Sequence, residues 1–330
     1  MIRLISLLII SGILAGSPAW ASNSLVESAR TLSADTKTSQ VVSGTDGWLF
    51  LREELVHIGA GRFWGDAAQQ ATRSTKKEYA DPLPAIVRFN KALAEKGITL
   101  YLMVVPPKAL VYADKLDPNI IDVSEEAGIY EHFFRQLEQE GVKVIDLLPV
   151  LQKQAKESPN LYCKTDTHFS GDGLLLFAEH AAQVIKKEVW YEEYPKDKMS
   201  RSEQTIQILG DLSQMLGEEE AREEIDIHVV VDEETGKPVE SDLKSPVILL
   251  GDSHTLVFSA GGDLHAKGAG LFDNLSRELG FAVDLLGVRG SASTPARVKL
   301  YQRSKKDANY LKEKKIVIYS FAARELTGTG

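Results

Sequence analysis

A serine hydroxyl becomes an effective nucleophile only when a base can take its proton and a carboxylate fixes that base in one tautomer. Two short segments of this 330-residue chain hold those residue types, Gly251-Asp252-Ser253 and Asp166-Thr167-His168. Ser253 is the candidate nucleophile, His168 its base and Asp166 the orienting carboxylate, a set suited to acyl transfer. A spacing of two brings Asp166 and His168 to one side of an extended loop, which it would not do on a helix. Gly, Asp and Ser are equally the residues of an ordinary turn, and Thr167 or Ser170 would serve to cap a helix starting near Gly171. His254 leaves the backbone in a different direction from its neighbour Ser253 and reads as a structural or substrate-contact residue. The remaining histidines, His57, His132, His180, His228 and His265, have no comparable local partner and read as surface or internally satisfied residues.

The oxyanion formed in acyl transfer needs donors, and the Ser253 backbone N–H is the first candidate. A second could come from the loop Gly287-Val288-Arg289-Gly290-Ser291, for which a plain flexible turn is the equal alternative. Lys108, just beyond Pro106-Pro107, is a candidate contact for an acidic or hydroxyl-rich substrate, with a solvated lysine as the default. The single cysteine, Cys163, excludes an internal disulfide and reads as a small buried hydrophobe rather than a nucleophile. No metal motif is found, and no cofactor is expected.

The elements that must position these residues alternate in type. A helix is expected from Tyr79 to about Lys96 and an apolar strand over Ile98–Val105. A helix around Glu125–Glu140 and a strand at Val142–Leu148 follow, then a polar loop carrying Asp166 and His168, then a helix from Gly171 to Lys186. The strand Val247–Leu250 ends in Gly251-Asp252-Ser253, which puts Ser253 at the carboxyl edge where open parallel sheets hold their ligands. A helix at Gly270–Leu279, a strand at Phe281–Val288, a helix at Pro295–Lys312 and a strand at Lys315–Tyr319 complete five strands. Near-continuous apolar strands predict an α/β fold with a mainly parallel sheet covered by helices on both faces. Residues 190–245 break the rhythm and read as an insertion beside the site, with a helix at Gln204–Leu216.

The first residues, from Met1-Ile2-Arg3 through an apolar run to Ala19-Trp20-Ala21, read as a secretory signal peptide over 1–21. The run is shorter than the roughly 20 residues of a spanning helix. With no cysteine at the cleavage point to carry a lipid, a mature protein starting near Ser22 is expected, with residues 22–43 an exposed, flexible lead-in and one domain over 44–330. The formal charge of −9 argues against non-specific nucleic-acid binding. Acidic runs at Glu218–Glu224 and Asp232–Glu240 read as solvated faces.

Four segments, Gly44-Thr45-Asp46-Gly47-Trp48-Leu49-Phe50, Pro107-Lys108 to Val111-Tyr112, Thr165-Asp166-Thr167-His168-Phe169 and Leu250-Gly251-Asp252-Ser253, resemble in this order the AlgJ/AlgX-like alginate O-acetyltransferases. The resemblance covers roughly residues 41–326. It implies a three-layer SGNH-hydrolase-like, flavodoxin-like domain in which Asp-x-His precedes the serine, with Ser253, His168 and Asp166 as its catalytic residues. Lys108, Tyr112, Arg289, Gly290 and Arg324 are then the substrate-binding candidates. The resemblance further implies a periplasmic protein that passes acetyl groups to an exopolysaccharide. A membrane-bound acyltransferase as donor and other exopolysaccharide assembly proteins are the implied partners. It leaves no room after Arg324 for the carbohydrate-binding domain of AlgX-type members. An acetylesterase of the same fold and a non-catalytic polysaccharide-binding subunit are the competing readings.

Overall fold

Strands that are apolar along their whole length must be covered on both faces, and the central sheet meets that demand. The structure, a computed structural model, describes residues 24–36, 39–158, 160–290 and 293–328. The expected signal peptide lies outside the described residues.

Among the described residues nine strands run in chain order: β1 Val41–Ser43, β2 Leu49–Leu51, β3 Thr99–Val105, β4 Lys143–Val144, β5 Met199–Ile208, β6 Glu223–Asp232, β7 Val247–Gly251, β8 Asp284–Gly287 and β9 Ile316–Ala322. Five of them form one sheet in the order β4-β3-β9-β7-β8, all parallel. The last strand of the chain therefore sits at the centre, pairing with β3 from Thr99↔Ile316 to Val105↔Ala322 and with β7 on its other side. Every residue of β7 and β9 is buried.

The crossovers β3→β4 and β7→β8 move outward in opposite directions, so the right-handed rule puts their helices, Ser124–Gln139 and Leu271–Leu279, on opposite faces. Tyr319 on β9 meets Phe89 of the Pro82–Ala94 helix at 5.5 Å between ring centroids, which fixes one face. The Gly171–Ile185 helix packs along Leu271–Leu279. Its capping serine, Ser170, accepts from Gly173 N–H, and Leu174, Phe177, Ala178, Ala181, Ala182 and Ile185 form one buried stripe at helical spacing. Among the described residues no helix is long and apolar enough to cross a membrane.

Three expectations need correction. The stretch expected to be a flexible lead-in carries a helix, Leu25–Asp35, and strand β1. Its Ser/Thr-rich composition conceals Leu25 and Ala29, both fully buried, and Ser24 caps it by accepting from Glu27 N–H. In the insertion, the helix expected over Gln204–Leu216 is confined to Asp211–Leu216, and the residues before it belong to β5, which pairs antiparallel with β6. The alternation Ile225-Asp226-Ile227-His228-Val229 is the strand signal that decides this pairing, with Ile206 opposite Ile225. The strand expected at Val142–Leu148 is only β4, because Asp146 accepts from Leu148 N–H at 3.0 Å and starts a helix, Leu148–Gln154.

Candidate active site

Ser253 stands at the carboxyl end of β7, where the chain makes one tight helical turn, Ser253–Thr255. The buried carboxylate of Asp252 fixes that turn, accepting from His254 N–H at 3.0 Å and, across the sheet, from Ala322 N–H at 2.7 Å. Gly251 is demanded by space, since a Cβ there would stand 1.8 Å from Ser320 O. The Ser253 backbone N–H has no acceptor among the described residues and is free to meet an oxyanion.

The loop before the Gly171–Ile185 helix brings a base to that hydroxyl. Tyr162 bridges to Phe169 and Cys163 N–H donates to His168 O at 3.1 Å, closing residues 162–169 into a tight bend. Within it Asp166 Oδ1 accepts from His168 N–H at 2.9 Å and stands 2.6 Å from His168 Nδ1. The spacing of two thus works through a local turn of the aspartate onto the backbone. His168 Nε2 lies 2.8 Å from Ser253 Oγ, across 85 positions of sequence. The three side chains are joined in one relay, able to move a proton from the hydroxyl to the imidazole while the carboxylate holds the opposite nitrogen.

Electrostatics favour this arrangement. Burial opposes the charge on Asp166, but the imidazoles of His168 and His265 outweigh it and hold the carboxyl well below its ordinary range. Burial would depress His168, yet the Asp166 carboxylate beside it raises its pKa above the usual 6.5. His254 is different: burial and then the charge on His168, whose ring is 4.8 Å away, press it far below the imidazole norm and keep it neutral. Among the described residues the ring nitrogen next to Ser253 Oγ is Nε2 of His168, and Nδ1 of His254 is buried without a partner.

Two residues around the relay were not visible to sequence reasoning. His265, 99 positions from Asp166, places Nε2 2.9 Å from Asp166 Oδ2. Asp211 donates its N–H to the same oxygen at 2.9 Å, and its carboxylate accepts from Thr167 N–H at 2.7 Å and Thr167 Oγ1 at 2.6 Å. The available signal was Gly210-Asp211 before a short helix: a Cβ at Gly210 would stand 2.1 Å from Thr165 O, so only glycine lets this turn approach. Glu223, expected on a solvated acidic face, instead accepts from Lys164 N–H, Thr165 N–H and Thr165 Oγ1, and so steadies the same loop. Asp166, His168 and Asp211 offer ligand atoms within 4.8 Å of one another, as a metal site would. Each is already committed to the hydrogen bonds above, and a cation would have to break them.

Of the expected substrate-binding residues, Lys108 and Tyr112 are corrected. Lys108 is buried, its Nζ donating to Leu49 O at 2.7 Å, Lys164 O at 2.9 Å and Asp166 O at 3.0 Å, while burial lowers its pKa to about 8. Its signal as a residue following a strand was genuine, but the amine ties three backbone segments together and does not reach solvent. Tyr112 is also buried, its hydroxyl accepting from Leu161 N–H at 3.0 Å and its ring 4.3 Å from Trp48. Arg324 lies mostly inside at the end of β9, with Nη1 buried and unpartnered among the described residues. Arg289 and Gly290 are exposed on the loop after β8, Arg289 pairing with Asp263 at 2.6 Å. Ser291 lies outside the described residues. The Cys163 thiol is buried, and burial pushes it well above its ordinary pKa, which leaves no thiolate for chemistry.

A cavity of about 730 Å³ opens between the Pro82–Ala94 and Ser293–Lys306 helices by the carboxyl end of β9. Phe89, Tyr319 and Phe321 line its floor, the exposed Tyr79 and Tyr301 its rim, and Lys76, Arg88 and Arg297 give it positive charge. Ser253 and His168 do not line it.

A family model described as the SGNH hydrolase-like domain of the acetyltransferase AlgX matches residues 41–322. The chain is 28% identical over 176 residues to a probable alginate O-acetylase AlgJ of Pseudomonas syringae pv. tomato, covering 53% of this chain and 41% of that protein. It is 28% identical over 149 residues to the probable alginate O-acetylase AlgJ of Pseudomonas aeruginosa, covering 45% and 33%. The matched span is about two fifths of the length of the first of these relatives. Among solved structures, the O-acetyltransferase domain of Pseudomonas putida AlgJ superposes with a TM-score of 0.64 at 22% identity, over 87% of this chain and 92% of that one. Pseudomonas aeruginosa AlgX superposes with a TM-score of 0.61 at 20% identity, over 87% and 62%. These two likenesses concern the fold, which is the expected SGNH-hydrolase-like one.

Proposed function

Since the chain belongs to the family of SGNH hydrolase-like domains of the acetyltransferase AlgX, we propose that it is a serine-dependent O-acetyltransferase acting on hydroxyls of an exopolysaccharide. The observation that carries this reading is the relay from Ser253 Oγ through His168 Nε2 and Nδ1 to Asp166 Oδ1. Ser253 attacks the carbonyl carbon of an acetyl donor as its proton passes to His168, and the Ser253 N–H receives the developing oxyanion. Collapse breaks the bond to the leaving group, which takes the proton from His168 and leaves acetyl-serine. A sugar hydroxyl then attacks that ester, giving its proton to His168, and the second collapse returns the proton to Ser253 Oγ.

Related proteins named as alginate O-acetylases support a polysaccharide acceptor. The cavity beside β9 suits one, with tyrosine rings for sugar faces and arginine and lysine for polar or acidic substituents. The reading includes export by the signal peptide at 1–21, a place in the periplasm, a membrane-bound acyltransferase as donor and further exopolysaccharide assembly proteins as partners. The domain itself takes in the packed residues from Leu25 onward, with 190–245 as its insertion.

Incubation with a chromogenic acetyl ester followed by peptide mass spectrometry tests the mechanism. One added acetyl group on the Ser253 peptide, lost in Ser253→Ala and His168→Ala, is expected. Full turnover by a folded Ser253→Ala protein would refute it.

A further inference from the structure

The carboxylate of Asp166 is filled to capacity. Oδ1 accepts from the N–H and the Nδ1 of His168, and Oδ2 accepts from Asp211 N–H and faces His265 Nε2 at 2.9 Å. Because a carboxylate can only accept here, Nε2 of His265 carries the hydrogen.

His265 reaches this place at a conformational cost. Its backbone has φ 71° and ψ −65°, a region that a side chain rarely adopts, and Phe258 at the start of the same loop has φ 58°. The loop is closed on itself by the bridge between Ala260 and Lys267, by Gly261 N–H to Ala266 O at 2.8 Å and by Phe258 N–H to Leu264 O at 2.9 Å. The Phe258 ring stands 5.5 Å from the imidazole. Asp263, two residues before His265, pairs with Arg289, joining this loop to the one that follows β8. Such strain persists where the surroundings over-determine it, and what it secures is the contact of one imidazole with Asp166.

We propose that His265 is a positioning residue of the relay, holding Oδ2 of Asp166 so that Oδ1 stays on Nδ1 of His168. The inference rests on the acetyl-transfer reading above. Without His265, Oδ2 keeps only the Asp211 N–H and the charge of the carboxylate is less well stabilised. It then binds the His168 proton more tightly, so the pH at which His168 becomes an effective base rises. The other charged or titratable groups facing His168 are Asp211, Asp252, His254 and Arg324, and none of them changes in the test.

The full chain carrying His265→Leu or His265→Gln is assayed with a chromogenic acetyl ester across pH, with thermal unfolding as the check on folding and Ser253→Ala as the control. Glutamine keeps an N–H donor and shares the strained backbone, whereas leucine has no donor. For His265→Leu the expected result is a fall in kcat on the order of tenfold with little change in KM. The acid limb should move to higher pH by about half a unit. His265→Gln should stay close to the wild type in both. Equal rates and equal pH profiles for leucine and wild type would overturn the inference, as would a folded glutamine variant as impaired as leucine. Turnover by Ser253→Ala would instead remove the acetyl-transfer reading, and with it this role.

Discussion

Asp211 gives its backbone N–H to Asp166 while turning its own carboxylate away to Thr167, so two acidic residues share one buried corner with only a backbone amide between them. Burial, then the charge of Asp166, raises the pKa of Asp211, and its negative charge in turn adds to the raised pKa of His168. Asp211→Asn retains the amide bond and removes the charge. The acid limb of kcat/KM for acetyl-ester turnover should therefore move to lower pH, opposite to the shift expected for His265→Leu. A limb that stays in place, or moves upward, contradicts this account of the corner.

His168 must be neutral to accept the Ser253 proton, and its pKa is raised above 6.5 by Asp166 after the opposing effect of burial. Acetyl-ester turnover should consequently be low in acid and rise with pH along a limb centred above 6.5. A stopped assay of initial rates between about pH 5 and 9 reads this directly. A limb centred well below that of free imidazole would mean that another group is the base.

Asp166→Asn keeps the size of the side chain but presents an amide to His168 Nδ1, favouring the wrong tautomer. On the precedent of serine proteases, kcat should drop by about 10⁴ with a far smaller effect on KM. Near-normal kcat would show that the carboxylate is not part of the relay.

Lys108 ties Leu49, Lys164 and Asp166 together through their carbonyls, so its replacement should act on stability before it acts on substrate binding. Lys108→Met leaves buried acceptors unpaired and should cost about 2–4 kcal/mol of unfolding free energy, read by denaturant titration. KM of the folded fraction should change little. A selective rise in KM with unchanged stability would restore the substrate-contact reading.

Tyr301 stands at the rim of the cavity beside β9, which Ser253 does not line. Tyr301→Ala should weaken transfer to a polysaccharide acceptor several-fold, measured as acceptor KM, and leave hydrolysis of a small acetyl ester as it was. Equal transfer by both proteins would exclude the cavity as the acceptor groove.

The sheet was legible because β3, β7 and β9 are mostly apolar runs, with Pro106 after β3 and Pro246 before β7 as breaks, and the relay because its members lie at a strand end and in one short loop. Less of the surrounding support could be read. His265 and Asp211 reach Asp166 only through the folded path of the insertion and the loop after β7, and neither shows a local pattern. Lys108 follows a strand as a ligand contact would, but its environment, Trp48 and Phe50 about 5.3 and 5.4 Å from its amine, comes from a hairpin far away in sequence. Helix Leu25–Asp35 hid behind serines and threonines because its apolar spacing rests on only a few residues.

The central position of β9 makes the last strand the join between the two halves of the sheet. Without residues 316–322 no strand would join β3 with β4 to β7 with β8, and each pair would be left with a bare hydrogen-bonding edge. The amide of Ala322, which donates to Asp252 beside Ser253, lies in the same segment. A chain cut short before Ile316 would thus lose the seam between its halves and the donor to Asp252 in a single stroke, and its exposed edges would invite aggregation.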